Sequence, residues 1–409
     1  MAKYDGQRAA VIGGSVGGLT AALLLRDLGF TVDVYERTAQ PLEGRGGGII
    51  LQPETLRWFR ERSSHRPHTL SASSRFVRYL GPANEILYQE AKEWAFTSWS
   101  AIYGALLSDF DTGRYHLGHT ASGLRPDAET VQVQFDGGAT AEADLVVCAD
   151  GISSTARRLL LPQIDRRYAN YVGWRGMVLE KDLSRFASDL LGDALTYSVS
   201  DRSHMIIYPI PGPNLALRPG RRWLNYVWYR NVSEGADLNE LLTDRTGARS
   251  DVSVPPGYVQ DRFIDELKQA APQVLAPAAA EVVLTTAHPY IQPIFDIKIP
   301  RMTFGRIALI GDAAFVARPH AAAGTAKAAE DAWTLASALK ANHPDIPEAL
   351  QKWEIPQLEL GSSLVNRAAQ IGDRSQSDNT WIPGDPTLGF GLYGPTPPSS
   401  PRRQHSSSA

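Results

Sequence analysis

Cysteine is almost absent from this chain: its 409 residues hold one, Cys148, so no internal disulfide can form and a reducing compartment is expected. Charge of one sign is also missing. Against 44 acidic residues stand 41 basic ones, a net −3, with no basic run of the kind that draws nucleic acid or lies along a membrane surface. No apolar span is long enough to cross a bilayer, and the start Met1-Ala2-Lys3-Tyr4-Asp5 lacks the apolar stretch of a signal peptide. The expectation is a cytoplasmic protein with no nucleic-acid or membrane partner and no metal. No internal repeat is evident. With 43% hydrophobic residues the chain can bury a substantial core, and its length favours two domains. Cys148 itself ends the apolar run Leu145-Val146-Val147 and reads as core rather than nucleophile.

Glycine is plentiful, and its placement is informative. Val11-Ile12-Gly13-Gly14-Ser15-Val16-Gly17-Gly18-Leu19 runs from a short apolar strand into a helix. Glycines at such a turn let the backbone approach a pyrophosphate, while the helix N-terminus offers free N–H donors and partial positive charge. Gly13, Ser15 and Gly18 are assigned that work. Glu36 ends the strand Val32-Asp33-Val34-Tyr35, 23 residues after Gly13, where its carboxylate can accept from an adenosine ribose. The bland alternative is a turn that serves only strand–helix packing.

Two further segments belong with this one. Asp144-Leu145-Val146-Val147-Cys148-Ala149-Asp150-Gly151 is a buried strand with Ser154 and Arg157 behind it. Arg306-Ile307-Ala308-Leu309-Ile310-Gly311-Asp312 is another, followed by Pro319 and Gly324. Asp312 stands at a strand's carboxyl end, the edge where open α/β sheets place ligands, and can bind ribityl hydroxyls. Gly324-Thr325-Ala326 can open a helix whose N-terminal amides stabilise negative charge on a reduced flavin. Read alone, Gly-Asp is equally a turn.

Together these residues resemble the group A flavoprotein aromatic monooxygenases, the p-hydroxybenzoate hydroxylase superfamily, over about residues 8 to 385. The matching segments are Ile12 to Leu19, Asp150-Gly151-Ile152-Ser153-Ser154-Thr155-Ala156-Arg157, and Gly311-Asp312-Ala313-Ala314. Within the superfamily, Ser98 to Gly104, Trp174-Arg175-Gly176, His204 to Gly212 and Arg318 to Ala328 bring it nearer to the hydroxypyridine hydroxylases. The resemblance implies cofactor contacts at Arg37, Gln52 and Asp150 as well. It departs where relatives carry an arginine opening the helix at 99–110, since Trp99 and Gly104 fall on the basic positions. It departs again at Phe315, commonly histidine, and Ala322, commonly glycine.

The implied fold is α/β: a discontinuous Rossmann-like FAD-binding domain with C-terminal helices, and a mostly antiparallel β-sheet substrate domain. Residues 1–69, 97–167 and 284–385 are assigned to the first, 70–96 and 168–283 to the second, and 386–409 to a disordered tail rich in Pro and Ser. The glycine-rich loop Gly44 to Gly48 can pack against the flavin. Strand patterning is plain at Leu195 to Val199, His204 to Ile210 and Leu224 to Tyr229.

Period-two alternation puts His204, Ile206, Tyr208 and Ile210 on one face, with Met205, Ile207 and Pro209 on the other. His204 is the candidate base, since an ordinary imidazole accepts a phenolic proton near neutrality. Tyr208 can orient the same hydroxyl. Equally, His204 is a strand residue bonded to backbone. Tyr226 and Trp228 share a face of the neighbouring strand and, with Pro319 and His320, are pocket candidates; Trp174 and Arg175 either line the pocket or pack between domains.

The resemblance implies a single-component hydroxylase. NADH or NADPH reduces noncovalent FAD, oxygen adds to give a C4a-hydroperoxide, and hydroxyl transfers to an electron-rich ring such as that of 2,6-dihydroxypyridine. With one dinucleotide fingerprint present, the reductant is expected to bind transiently. A phenolic or polyketide-like aromatic is the alternative substrate, and a flavin-binding redox module without turnover the alternative class. A homodimer is among the assemblies allowed.

Overall fold

In the computed structural model, residues 3–42 and 46–394 are described; Gly44 and the tail from 395 lie outside them. The apolar runs Arg8–Ile12, Leu145–Cys148 and Ile307–Leu309 have no polar residue to turn to water at their centres, and each becomes a buried strand. They lie side by side in a six-stranded sheet in the order 303–304, 307–309, 145–148, 8–12, 31–36, 115–117. All neighbours run parallel except the outermost 303–304. Val11 pairs with Val147 on one side and Val34 on the other, and Cys148 pairs with Leu309. That register brings Gly13, Glu36, Asp150 and Asp312 to one carboxyl edge. The helix Val16–Leu28 covers the sheet and packs against the helix Gly324–Asn342. Cys148 is fully buried, and burial pushes its thiol well up.

The second sheet has eight strands in the order 290–296, 167–179, 223–231, 203–210, 194–200, 72–80, 86–98, 48–50. It is antiparallel apart from the pairing of 194–200 with 72–80. The alternation expected at His204 holds. Met205 and Ile207 join Tyr226, Trp228 and Trp174 in a core with the residues of the helices Asp261–Val274 and Pro277–Thr285. Ile206, Tyr208 and Ile210 join Val227 and Tyr229 on the opposite face.

This sheet reaches past the expected bounds of 69 and 283. Tyr290–Asp296 pairs with Arg167–Leu179, and Gly48–Ile50 pairs with Ile86–Ser98. The expected disordered tail needs a larger correction, because residues 386–394 are folded onto the body. Leu388 and Leu392 are buried, the Gly391 amide donates to the Ala321 carbonyl at 3.1 Å, and Arg367 donates to Gly389, Gly391 and Leu392 carbonyls. A Pro/Gly-rich composition says little about order when one half-buried arginine holds three carbonyls of the segment.

Candidate active site

At the carboxyl edge of the first sheet, a cavity of about 260 Å³ is lined by Gly13, Ser15, Glu36, Arg37, Asp150 and Trp99, among others. Gly13 has φ +99°, and a Cβ there would lie 2.4 Å from the Ala149 carbonyl. Ser15 caps the helix Val16–Leu28 without a side-chain bond, leaving its hydroxyl for a ligand. Gly18 does not line the cavity; it lets the helix close on the Gly13 turn, since a Cβ would fall 1.9 Å from the Gly13 carbonyl oxygen. Glu36 is buried and braces the turn, accepting from the Gly14 amide at 2.9 Å and the Thr38 amide at 3.0 Å. Asp150 accepts from the Ser154 hydroxyl and the Thr155 and Ala156 amides, fixing the next helix. A backbone cradle at Gly13, a free hydroxyl and an acidic strand end suit the ADP portion of FAD.

A second cavity, about 270 Å³, opens between the two sheets. Asp312, Gly324 and Thr325 stand on one wall, Gly48 to Ile50 on another, and the Ile206 face of the second sheet opposite. Gly324 opens its helix, and beyond it is open space where a side chain would stand. Ala326 is buried within that helix. The preceding residue Ala322 takes a left-handed φ of 51°, the conformation that glycine commonly supplies in relatives. Gln52, expected at the cofactor, lines neither cavity; its amide donates to the Ala322 carbonyl and braces this turn.

Asp312 lines this cavity and is open to it although ringed by protein. Burial among those walls pushes its carboxyl up to about 6, against the pull of Arg157 and Lys327. Arg157 is buried and donates to the Asp312 and Ala313 carbonyls at 3.1 and 2.9 Å, which joins the Asp150 and Asp312 segments.

The substrate-side assignments need three corrections. Tyr226 and Trp228 face the core, not the cavity; Val227 and Tyr229 line it instead. The cross-strand register explains this, because His204 pairs with Tyr229 and Ile206 with Val227, and directly opposed residues share a face. Trp174, opposite Trp228, is core for the same reason, whereas Arg175 reaches the cavity. Pro319 and His320 line it as well. Sequence reasoning missed Trp381 and Phe390, which close the cavity from the C-terminal segment: the Trp381 ring stacks on His204 at 4.6 Å.

His204 is not the near-neutral base expected. Burial draws its pKa down to about 3. Its Nδ1 lies 2.6 Å from the Ser375 hydroxyl, which also accepts from the Gln376 amide at 2.5 Å, so this nitrogen is engaged with the protein and not free for a substrate proton. His320 is arranged likewise. Its Nε2 is 2.8 Å from the Tyr171 hydroxyl, and that oxygen accepts from Arg318 at 3.5 Å. Its Nδ1 has no partner among the described residues. Burial first, then His204 and Arg318, hold His320 well below the usual imidazole range. Tyr208 donates to the Gly48 carbonyl at 2.8 Å rather than waiting for a substrate.

Comparison with known proteins adds three findings. A family profile described as FAD binding domain-like matches residues 168–296, the strand-rich stretch through Asp296. The chain is 41% identical to 2,6-dihydroxypyridine 3-monooxygenase of Paenarthrobacter nicotinovorans, over 94% of this chain and 96% of that one. It is 26% identical to 6-hydroxynicotinate 3-monooxygenase of Pseudomonas fluorescens, over 94% of each. Among solved structures, 2,6-dihydroxypyridine-3-hydroxylase from Arthrobacter nicotinovorans superimposes with a TM-score of 0.90 at 40% identity, covering 96% of this chain and 99% of that one.

Proposed function

Because the chain belongs to the flavoprotein aromatic monooxygenases of the p-hydroxybenzoate hydroxylase superfamily, and is an FAD-dependent enzyme, we propose that it hydroxylates a hydroxypyridine, first of all 2,6-dihydroxypyridine, using NADH or NADPH and dioxygen. The reading rests on one observation above others: a single cavity is lined by the Asp312 turn, the start of the Gly324 helix and two buried histidines, His204 and His320. Bound FAD supplies hydride acceptance and oxygen activation. Asp312 would hold the ribityl chain, and the helix N-terminus at Gly324 and Thr325 would favour negative charge on the reduced ring. Trp381, Phe390 and Ile206 exclude water and hold a flat ring in place. A panel of hydroxypyridines and phenols, scored for coupled consumption of reductant and oxygen with products identified by mass spectrometry, tests this. Hydroxylation of phenols with hydroxypyridines inert would reject it.

FAD is expected to be noncovalent. Cys148 is sealed within the first sheet, and His204 and His320 are buried and hydrogen-bonded to Ser375 and Tyr171. Acid precipitation should leave the yellow chromophore in the supernatant; colour retained in the pellet refutes the assignment.

Flavin affinity should also depend on pH through Asp312. Burial pushes its carboxyl up to about 6, while ligand hydroxyls favour the ionised acceptor. Affinity is therefore weakest below that value, climbs as pH passes through it, and levels off above. Asp312→Ala should weaken FAD binding about 10- to 150-fold, the loss of one charge-assisted bond, and flatten the profile. Fluorescence titration across pH measures both effects, and an unchanged affinity in the variant removes Asp312 from the site.

A further inference from the structure

We propose that Trp381, laid across the cavity between the two sheets by the C-terminal strap 377–394, sets the size of ring the enzyme accepts: a single six-membered ring fits beneath it and a fused bicyclic ring does not. This rests on the reading that the cavity takes the flavin ring and a hydroxylated aromatic substrate together. The strap is set apart by where it comes from. Every other described wall belongs to strands of the second sheet, to the turn after Asp150 or to the segment 312–325.

The helix Ile346–Gln376 ends beside His204, and the chain then runs back over the Ile206 face of the second sheet to reach the helix Gly324–Asn342. It is tied along its length. The Thr380 amide donates to the Arg374 carbonyl at 2.7 Å, Arg374 pairs with Asp385 at 2.5 Å, and Arg367 holds the carbonyls of Gly389, Gly391 and Leu392. Beyond them the Tyr393 hydroxyl donates to Glu330 at 2.9 Å. At Gly384, where φ is +80°, a Cβ would fall 2.5 Å from the Tyr88 ring, so the strap lies directly on the sheet.

Trp381 is the only tryptophan among the described lining residues and the largest side chain there. Its ring centroid is 4.6 Å from that of His204, at 26°, and 5.8 Å from that of Tyr197. Both of those rings are held in turn: Tyr197 stacks on Tyr79 at 4.6 Å, and His204 is buried against Ser375. A bulky ligand cannot press the indole into the sheet, and the ties of the strap oppose its moving outward.

Room beneath it is short. The cavity measures about 270 Å³, at the foot of the range of about 300–1,000 Å³ usual for ligand pockets, and Asp312, Gly324 and Thr325 line the same space, so part of it goes to the flavin ring. What remains suits one flat ring. In an apolar pocket a misfit of a single methylene already costs about 10- to 200-fold in selection, and a fused benzene ring is larger. A smaller side chain at 381 adds space at the strap while the Asp312 turn, the Gly324 helix and both histidines stay in place.

The test uses oxidised holoenzyme without nicotinamide, so that nothing turns over. 2,6-Dihydroxypyridine is titrated by flavin difference absorbance beside 1,3-dihydroxyisoquinoline, which keeps the same dihydroxylated ring, leaves a carbon beside one hydroxyl free and carries a fused benzene ring on the far side. The unaltered protein should bind the bicyclic compound at least about tenfold more weakly than the single ring. Trp381→Ala should tighten binding of the bicyclic compound about 10- to 200-fold with FAD content intact. The single ring should lose no more than about tenfold, the worth of one aromatic contact. Trp381→Phe should fall between. A damaged fold weakens both ligands, whereas an enlarged cavity tightens one.

Equal binding of the two rings by the unaltered protein, or a flavin-loaded Trp381→Ala that binds the bicyclic compound no better, would overturn the proposal. Should the alanine variant load no flavin, Trp381→Leu, which keeps apolar cover on His204, decides by the same ratio; if neither loads flavin, Trp381 serves the fold rather than selection and the proposal fails. If 2,6-dihydroxypyridine does not bind but phenol does, the hydroxypyridine reading fails, and phenol against 2-naphthol decides the size limit in its place. If no single ring binds, the size limit falls as well.

Discussion

Asp331→Ala is expected to destabilise the protein by about 3–5 kcal/mol and to empty its flavin site, although the residue lines neither cavity. Asp331 and Lys327 face each other one turn apart on the helix Gly324–Asn342, with Nζ and Oδ1 2.5 Å apart and both side chains essentially without solvent. The second carboxylate oxygen accepts from the Gly311 amide at 2.9 Å, directly before Asp312. Removing the carboxylate strands a buried ammonium and an amide at once. The Gly311 turn, whose φ is +56°, then loses the bond that holds it against the helix. Urea unfolding and flavin content after gel filtration measure the two effects. The double change Lys327→Met with Asp331→Leu should recover much of the stability, since replacing a buried pair with apolar groups is often neutral, but not the flavin, because the Gly311 amide stays unbonded. Full flavin retention in Asp331→Ala would show that the turn holds itself.

The same clamp illustrates what the sequence made legible. Lys327 and Asp331 stand four residues apart on a helix opened by Gly324, a spacing visible in the sequence, yet nothing in that spacing tells a buried pair from a solvated one. Motifs read correctly where local chemistry and strand order act together. Gly13, Asp150 and Asp312 each follow a run too apolar to lie anywhere but mid-sheet, and parallel pairing then delivers all three to one edge. Alternation placed His204, Ile206 and Tyr208 on one face because period two is a property of a single strand.

Where reading a residue required a second strand, the sequence did not supply it. Alternation puts Tyr226 and Trp228 on one face but does not say which face meets the cavity, and a register set through Tyr229 opposite His204 sends them to the core. The burial that lowers His204 was out of reach for the same reason, since it comes from distant segments such as the end of the helix Ile346–Gln376, where its partner Ser375 lies 171 residues away. So was the closing of the cavity by Trp381 and Phe390, which depends on Arg367 gathering the carbonyls of 389–392.

Among the glycines of the nucleotide-binding turn, a large loss is expected at a position that lines neither cavity. Gly18→Val should leave little folded protein, and Gly18→Ala should already cost at least about 3 kcal/mol, the upper end of ordinary overpacking. A Cβ on Gly18 would sit 1.9 Å from the Gly13 carbonyl oxygen and 3.3 Å from Val11. The first of these atoms is backbone, and it belongs to the turn whose own glycine is held at φ +99° against the Ala149 carbonyl. Relief by movement is closed off on both sides: shifting the helix breaks its packing against Gly324–Asn342, and shifting the turn spoils the cradle for the pyrophosphate. Gly104 is the control. It lies inside the helix Trp99–Asp109, with open space where a Cβ would stand. There alanine has only its better helix propensity to contribute, so Gly104→Ala should stabilise by up to about 1 kcal/mol and leave flavin content unchanged. Urea midpoints and bound flavin per chain distinguish the two. If Gly18→Ala unfolds at the wild-type midpoint with FAD in place, the helix and turn have slack that this packing denies, and the close approach would not be what fixes the nucleotide-binding turn.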